Sequence, residues 1–254
     1  MSIDKVAVVT GAASGIGRAT TELFVERGFG VVAVDLDATA LMWCADHERI
    51  VSYAADVADD ASNEAMVAAA VDRWGRLDVA ILNAGIAGTR PFESDGAMDR
   101  FDQVMAVNVR GVALGIRYGA PAIRASGGGA IVATASTSGL RGDPGRWAYN
   151  TSKAAVINLV RAAALDYAAQ GIRINAIAPG PTESGLTRKL IDMPEASDSM
   201  TRRVPMQRWG MAREIAEAMW FLASPAASFI TGVTLPVDGG LSANAGHFDL
   251  PRLD

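Results

Sequence analysis

Seven short β-rich runs recur along the chain: 5–10, 30–35, 50–55, 77–83, 129–135, 172–178 and 232–238. Most are continuously apolar, as in "KVAVVT" and "LDVAILN", which marks strands covered on both faces. Alanine-rich helical patterns lie between them, at roughly 15–28, 60–74, 97–118, 149–169 and 211–223. A strand, a helix and a strand repeated in this way demand crossovers of one hand and a parallel sheet. The expected fold is therefore a single-domain, Rossmann-type, doubly wound α/β sheet of about seven strands over residues 1–254, with helices on both faces. No linker, internal repeat or low-complexity stretch interrupts the alternation.

Composition narrows the partners. Half of the 254 residues are hydrophobic, enough for a substantial core, while aromatics make up only 6%. Acids and bases are interspersed and sum to −5, with no basic stripe, so neither nucleic acid nor an anionic membrane is an expected partner. Cys44 is the sole cysteine, which excludes an intramolecular disulfide. His47 and His247 lie far apart and outside any ligand-spaced motif, so no metal site is expected. "MSIDKVAVVTG" has no signal-peptide core, and no apolar run reaches the ~18 residues that a membrane span requires. A soluble, cytoplasmic protein is the expectation.

The first turn carries the first chemistry. "VVTGAASGIGRAT" sets Gly11, Gly15 and Gly17 between a strand and a helix, with Ser14 and Ile16 among them. Glycines let the backbone approach a ligand, and the helix start offers free N–H groups and its positive dipole end to an anion. The pair of features predicts a diphosphate site. Asp35 ends the second run, 20 residues after Gly15, where a carboxylate meets the adenosine ribose of NAD. It would repel the extra phosphate of NADP, and neither Ser14 nor Leu36 offers an offsetting cation.

The second chemistry lies in "STSGLRGDPGRWAYNTSK", residues 136–153. Tyr149 and Lys153 are four apart, so both occupy one helix face. A nearby ammonium favours phenolate and brings a tyrosine toward the range of a general acid/base. Lys153 is also placed to hold a nicotinamide ribose. Ser136 stands at the carboxyl end of the fifth run, where open α/β sheets bind ligands, and can orient a substrate oxygen.

Taken together, "TGAASGIG" (10–17), "DV" (56–57), "NAG" (83–85), Asn108 in "VNVRG", Ser136, "YNTSK" (149–153), "PG" (179–180) and "VDGG" (237–240) resemble the short-chain dehydrogenase/reductase (SDR) family over residues 4–241. The resemblance implies an NAD-dependent oxidoreductase that moves a hydride between the cofactor and a secondary alcohol or ketone. It implies that Asp56 bonds the adenine amino group and that Val57 packs beside the ring. Asn83, Ala84 and Gly85 would line the adenosine side, and Ile177, Pro179 and Gly180 the nicotinamide. The carboxamide partner, usually Thr in this family, is Ser184 here, with Thr182 as the alternative. Asn108 would hold a water that extends the proton relay from Lys153. Family members are usually tetramers, built on the two long helices and the last strand, so a homotetramer or homodimer is expected. The tail 241–254 is a candidate to reach a neighbouring subunit.

The substrate end is less defined. In this family the region 184–210 is a lid, and Leu186 and Leu190 are candidates for its apolar wall; the same residues also suit two short helices packed on the body. Ser138, Leu140, Arg141 and Trp147 are further candidates from the loop before Tyr149. An apolar or cyclic alcohol fits this set, and an arginine engaging a carboxylate is the alternative. The runner-up activity is a 3-oxoacyl-thioester reductase, which Asp35 opposes because those enzymes usually take NADPH. A non-catalytic dinucleotide sensor is less expected, since such proteins typically lose the Tyr or the Lys.

Overall fold

Side-chain alternation explains the continuously apolar strands. On the first strand, β1 (Val6–Thr10), Val6 and Val8 face one side of the sheet, and Ala7 and Val9 face the other; all four are buried. Each side then needs its own helical cover. The structure, a computed structural model, describes residues 3–244 and Leu250. The tail beyond Asn244, a candidate to reach a neighbouring subunit, and His247 within it therefore lie, apart from Leu250, outside the described residues.

β2 (Gly30–Asp35), β3 (Ile50–Ala54), β4 (Val79–Leu82), β5 (Gly129–Thr134), β6 (Ile172–Pro179) and β7 (Thr234–Val237) complete one parallel sheet in the order β3-β2-β1-β4-β5-β6-β7. The order reverses between β1 and β4, which opens a crevice at their carboxyl ends. α1 (Gly15–Glu26) and α9 (Ala212–Ala223) cover one face through Phe24, Ile215, Met219 and Leu222. α2 (Asp60–Trp74), α4 (Gly111–Ala125) and α6 (Trp147–Tyr167) cover the other, with Met66, Ile116, Ile123, Val156 and Val160 in the core. Each such side chain contributes roughly 1.5–3 kcal/mol relative to exposure.

The single helix read over 97–118 is instead two. α3 (Ala97–Met105) passes through a π-helical turn, Ala106–Arg110, before α4 begins. A π turn widens the helix by one residue, and Asn108 lies within it. After the short α5 (Thr137–Leu140) and the long α6, the segment behind β6 carries α7 (Arg188–Ile191) and α8 (Pro194–Thr201). Among the described residues, no helix is long and apolar enough to cross a membrane.

Candidate active site

The floor of the crevice is built from backbone. Gly11 has φ +70°, and a Cβ on Gly17 would lie 2.0 Å from the Gly11 carbonyl oxygen, so the turn tolerates nothing larger there. Ser14 is the N-cap of α1, yet its hydroxyl makes no capping bond, and the first-turn N–H groups stay directed at the crevice. Asp35 is held from two sides: Ala13 N–H donates to Oδ2 at 2.9 Å and Asp37 N–H to Oδ1 at 3.3 Å. Asn83 fastens three strand ends. Its Nδ2 donates to Thr10 O (3.1 Å), its N–H donates to Thr10 Oγ1 (2.9 Å), and its Oδ1 accepts from Thr134 Oγ1 (3.0 Å).

A cleft of about 670 Å³ runs over this floor. Gly11, Ser14, Gly15, Ile16, Asp35, Leu36, Asp56 and Val57 line one end, and Asn83, Ala84 and Gly85 the middle. Ser136, Ser138, Tyr149, Lys153, Pro179, Gly180, Thr182, Ser184, Leu186 and Leu190 line the rest. A backbone anion cradle, a ribose-height carboxylate and a long cleft suit a nicotinamide dinucleotide. Gly17 lies beneath the turn, and Asn108 is fully buried behind the cleft. Both Asn108 donors are taken, by Ile86 O (2.9 Å) and Ser152 Oγ (3.0 Å), while Oδ1 accepts from Ile86 N–H (2.8 Å). The side chain acts as a brace between the β4 loop and α6.

Tyr149 and Lys153 project from α6 into the cleft, both buried. Ser136 caps α5, its Oγ accepting from Ser138 N–H at 3.1 Å. Burial pushes the Tyr149 phenol above its ordinary pKa; the Ser136 hydroxyl and then the Arg146 guanidinium pull it back, and Asp143 pushes it up. Lys153 is anchored to the sheet. Its Nζ donates to Thr134 O at 2.7 Å and lies 5.6 Å from the Tyr149 ring centroid. Burial without a counter-ion pushes the lysine down to about 8.

The family model described as Enoyl-(Acyl carrier protein) reductase matches residues 11–242. The 2-(R)-hydroxypropyl-CoM dehydrogenase of Xanthobacter autotrophicus is 41% identical over 95% of this chain and 100% of its own length. The chain belongs to the short-chain dehydrogenase/reductase family. A second SDR relative, the cis-4-hydroxycyclohexanecarboxylate dehydrogenase of Sinomonas cyclohexanicum, is 40% identical over 94% of this chain and 97% of its own. Among solved structures, a 3-ketoacyl-(acyl-carrier-protein) reductase from Brucella melitensis complexed with NADH aligns with a TM-score of 0.88 at 34% identity, covering 94% of this chain and 99% of that one. This chain is accordingly an oxidoreductase of the SDR class, and the cofactor of that class is a nicotinamide dinucleotide.

Three substrate candidates fall outside the lining of this SDR cleft. Arg141 turns away and donates to the carbonyl oxygens of Leu241 and Asn244. Trp147 stacks on Phe92 (4.1 Å between centroids) and Phe101 (5.4 Å), with Nε1 donating to Arg90 O at 2.8 Å. Leu140 ends α5 away from the cleft. In their place the cleft exposes Asp143, Arg146, Thr187, Met200, Arg203 and Trp209. Thr187 sits beside the two carboxamide candidates, donating to Thr182 O at 2.6 Å and accepting from Ser184 N–H at 3.0 Å. Asp143, Met200 and Trp209 already stand out in the sequence as members of the loop before Tyr149 and of the lid, whereas Arg146, Thr187 and Arg203 lie in irregular segments with no periodicity to reveal their direction.

Proposed function

We propose that this chain is an NAD(H)-dependent oxidoreductase that interconverts secondary alcohols and ketones, with Tyr149 as the general acid/base. The observation that carries the reading is the convergence of Ser136, Tyr149 and Lys153 in the cleft whose floor is the glycine turn and whose far end is Asp35. When bound, the dinucleotide supplies the hydride acceptor or donor at nicotinamide C4. The phenol oxygen of Tyr149 takes the hydroxyl proton in oxidation and returns it in reduction. Ser136 hydrogen-bonds the substrate oxygen and holds it at that phenol. Lys153, fixed by Thr134 O, holds the nicotinamide ribose and passes protons onward along the side braced by Asn108. Asp56 and Val57 receive the adenine, and Thr182, Ser184 and their neighbour Thr187 the carboxamide.

Asp35 supports NAD over NADP, because its carboxylate lines the cleft where it would bond a ribose hydroxyl and repel an extra phosphate, and Leu36 beside it is uncharged. Relatives named for hydroxypropyl and hydroxycyclohexane substrates support a small secondary alcohol. Segment 184–210 serves as the lid through Leu186, Leu190 and Met200. Exposed Leu165 on α6 and Phe229 before β7 support a homotetramer or homodimer. The 3-oxoacyl-thioester reductase reading keeps support from the Brucella neighbour, and an acyl thioester belongs in the same assay.

The test is Tyr149→Phe. Turnover of secondary alcohols should fall by roughly 10²- to 10⁴-fold, while NADH binding, read by fluorescence titration, persists. Undiminished turnover would sink the mechanism.

A further inference from the structure

The cleft holds more positive charge than hydride transfer needs. Besides Lys153, two arginines line it: Arg146, the N-cap of α6 three residues before Tyr149, and Arg203, just after α8. Neither guanidinium forms an ion pair or side-chain hydrogen bond with a described residue, and both are exposed. The contrast is with Arg208 and Arg213, which are paired with Glu214 and Glu26. Of the three acids in the lining, Asp35 and Asp56 stand at the glycine-turn end, and Asp143, three residues before Arg146, accepts from the Ser138 hydroxyl. Leu190, Met200 and Trp209 add apolar side chains to the same lining.

A guanidinium is a rigid fork of donors matched to a flat or tripodal oxyanion, and it is stronger in a partly desolvated cleft than in water. Two of them, without an ion-pair partner among the described residues, in the same cleft as the reacting phenol and several apolar side chains, supply the parts of an anion site joined to a hydrocarbon site. We infer that the substrate is a secondary alcohol or ketone bearing a terminal carboxylate or sulfonate, whose oxyanion is held by Arg146 and Arg203 while its carbinol meets Tyr149 and Ser136. This rests on the secondary-alcohol reading above. It replaces Arg141 with two other residues as the determinants of specificity.

The experiment uses the full chain with NAD and a matched panel: β-hydroxybutyrate, δ-hydroxyhexanoate and a hydroxyalkyl sulfonate, with the methyl ester of each acid and the corresponding neutral alcohol. The anionic members should exceed their neutral partners in kcat/KM by about 10-fold or more, and comparing carboxylate with sulfonate names the oxyanion. Arg203→Gln and Arg146→Gln should each lower the acid-over-ester ratio by roughly 10- to 100-fold, mostly through KM, with Arg203→Lys recovering part of it. Arg203→Gln is the more discriminating, since Arg146 also acts on Tyr149. Equal turnover of esters and acids, or a ratio that neither substitution moves, overturns the inference and leaves the alcohol reading standing. Calorimetric titration of the NADH complex with butyrate and methyl butyrate separates the two failures. Binding of butyrate that is lost in Arg203→Gln, with no alcohol in the panel oxidised, would retain the anion site and sink the alcohol reading. No turnover and no butyrate binding would sink both.

Discussion

The two edges of the sheet treat buried charge in opposite ways. At the amino edge, Asp78 is almost fully buried, and its carboxylate accepts from Lys5 Nζ (2.9 Å), Val6 N–H (2.9 Å), Arg76 Nε (2.8 Å) and Arg76 Nη2 (2.7 Å). Burial works to raise its pKa, but Arg76 and Lys5 reverse that and hold it below the usual carboxylate range. At the carboxyl edge, Lys153 is equally buried, with a single carbonyl partner and no counter-ion among the described residues. One charge is locked in by the protein; the other is left with capacity to spare. On the proposed function that second arrangement is the useful one, since it leaves an ammonium able to hold a ribose and relay a proton at some cost in stability.

Removing each charge should therefore push stability in opposite directions. The largest effect falls on activity: Lys153→Met should reduce turnover by roughly 10²- to 10⁴-fold, measured by NADH formation. The same variant should be more stable than the parent. In the parent the folded pKa of Lys153, about 8, lies below the unfolded value of ~10.4, so the cost of burying the ammonium is complete below pH ~8 and vanishes as pH rises toward the unfolded value. The gain of up to about 3 kcal/mol at pH 7, read by denaturant titration, should shrink through that window. A variant less stable than the parent at pH 7 would break the comparison.

Asp78→Asn should lose about 3 kcal/mol, equivalent to a melting point about 6–12 °C lower, because it breaks a buried ion pair. Its folded pKa is depressed, so the contribution is present above the unfolded carboxylate value near ~3.9 and lost as pH falls through the folded one. The parent and the variant should thus converge in acid and differ most at neutral pH. The smallest effect concerns the ribose end: Asp35→Ser should improve kcat/KM for NADP relative to NAD by about 10- to 100-fold. An unmoved ratio would remove Asp35 from cofactor choice.

Much of this was legible in the residues. Apolar runs placed the strands within a residue or two, and the glycine turn, Asp35, Ser136, Tyr149 and Lys153 each sat at a strand end or on a helix face that periodicity fixes. What escaped was what periodicity does not govern. The π turn at Ala106–Arg110 changes the pitch by one residue and has no local sequence signal. Trp147 was assigned to substrate because its partners, Phe92 and Phe101, are distant in sequence. Arg141 and Arg146 share one irregular loop, and only coordinates separate the one bound to carbonyls from the one facing the cleft. Helix periodicity puts Tyr149 and Lys153 on one face, but it carries no sign that the ammonium is anchored on Thr134 O of β5.

Asn83 ties together the ends of β1, β4 and β5, the three central strands on which the cleft rests. A platform stitched in this manner has no hinge of its own: the strand ends cannot spread without giving up the sheet's own bonds. Substitutions in the loops above can therefore reshape the cleft while its floor stays where one amide side chain pins it.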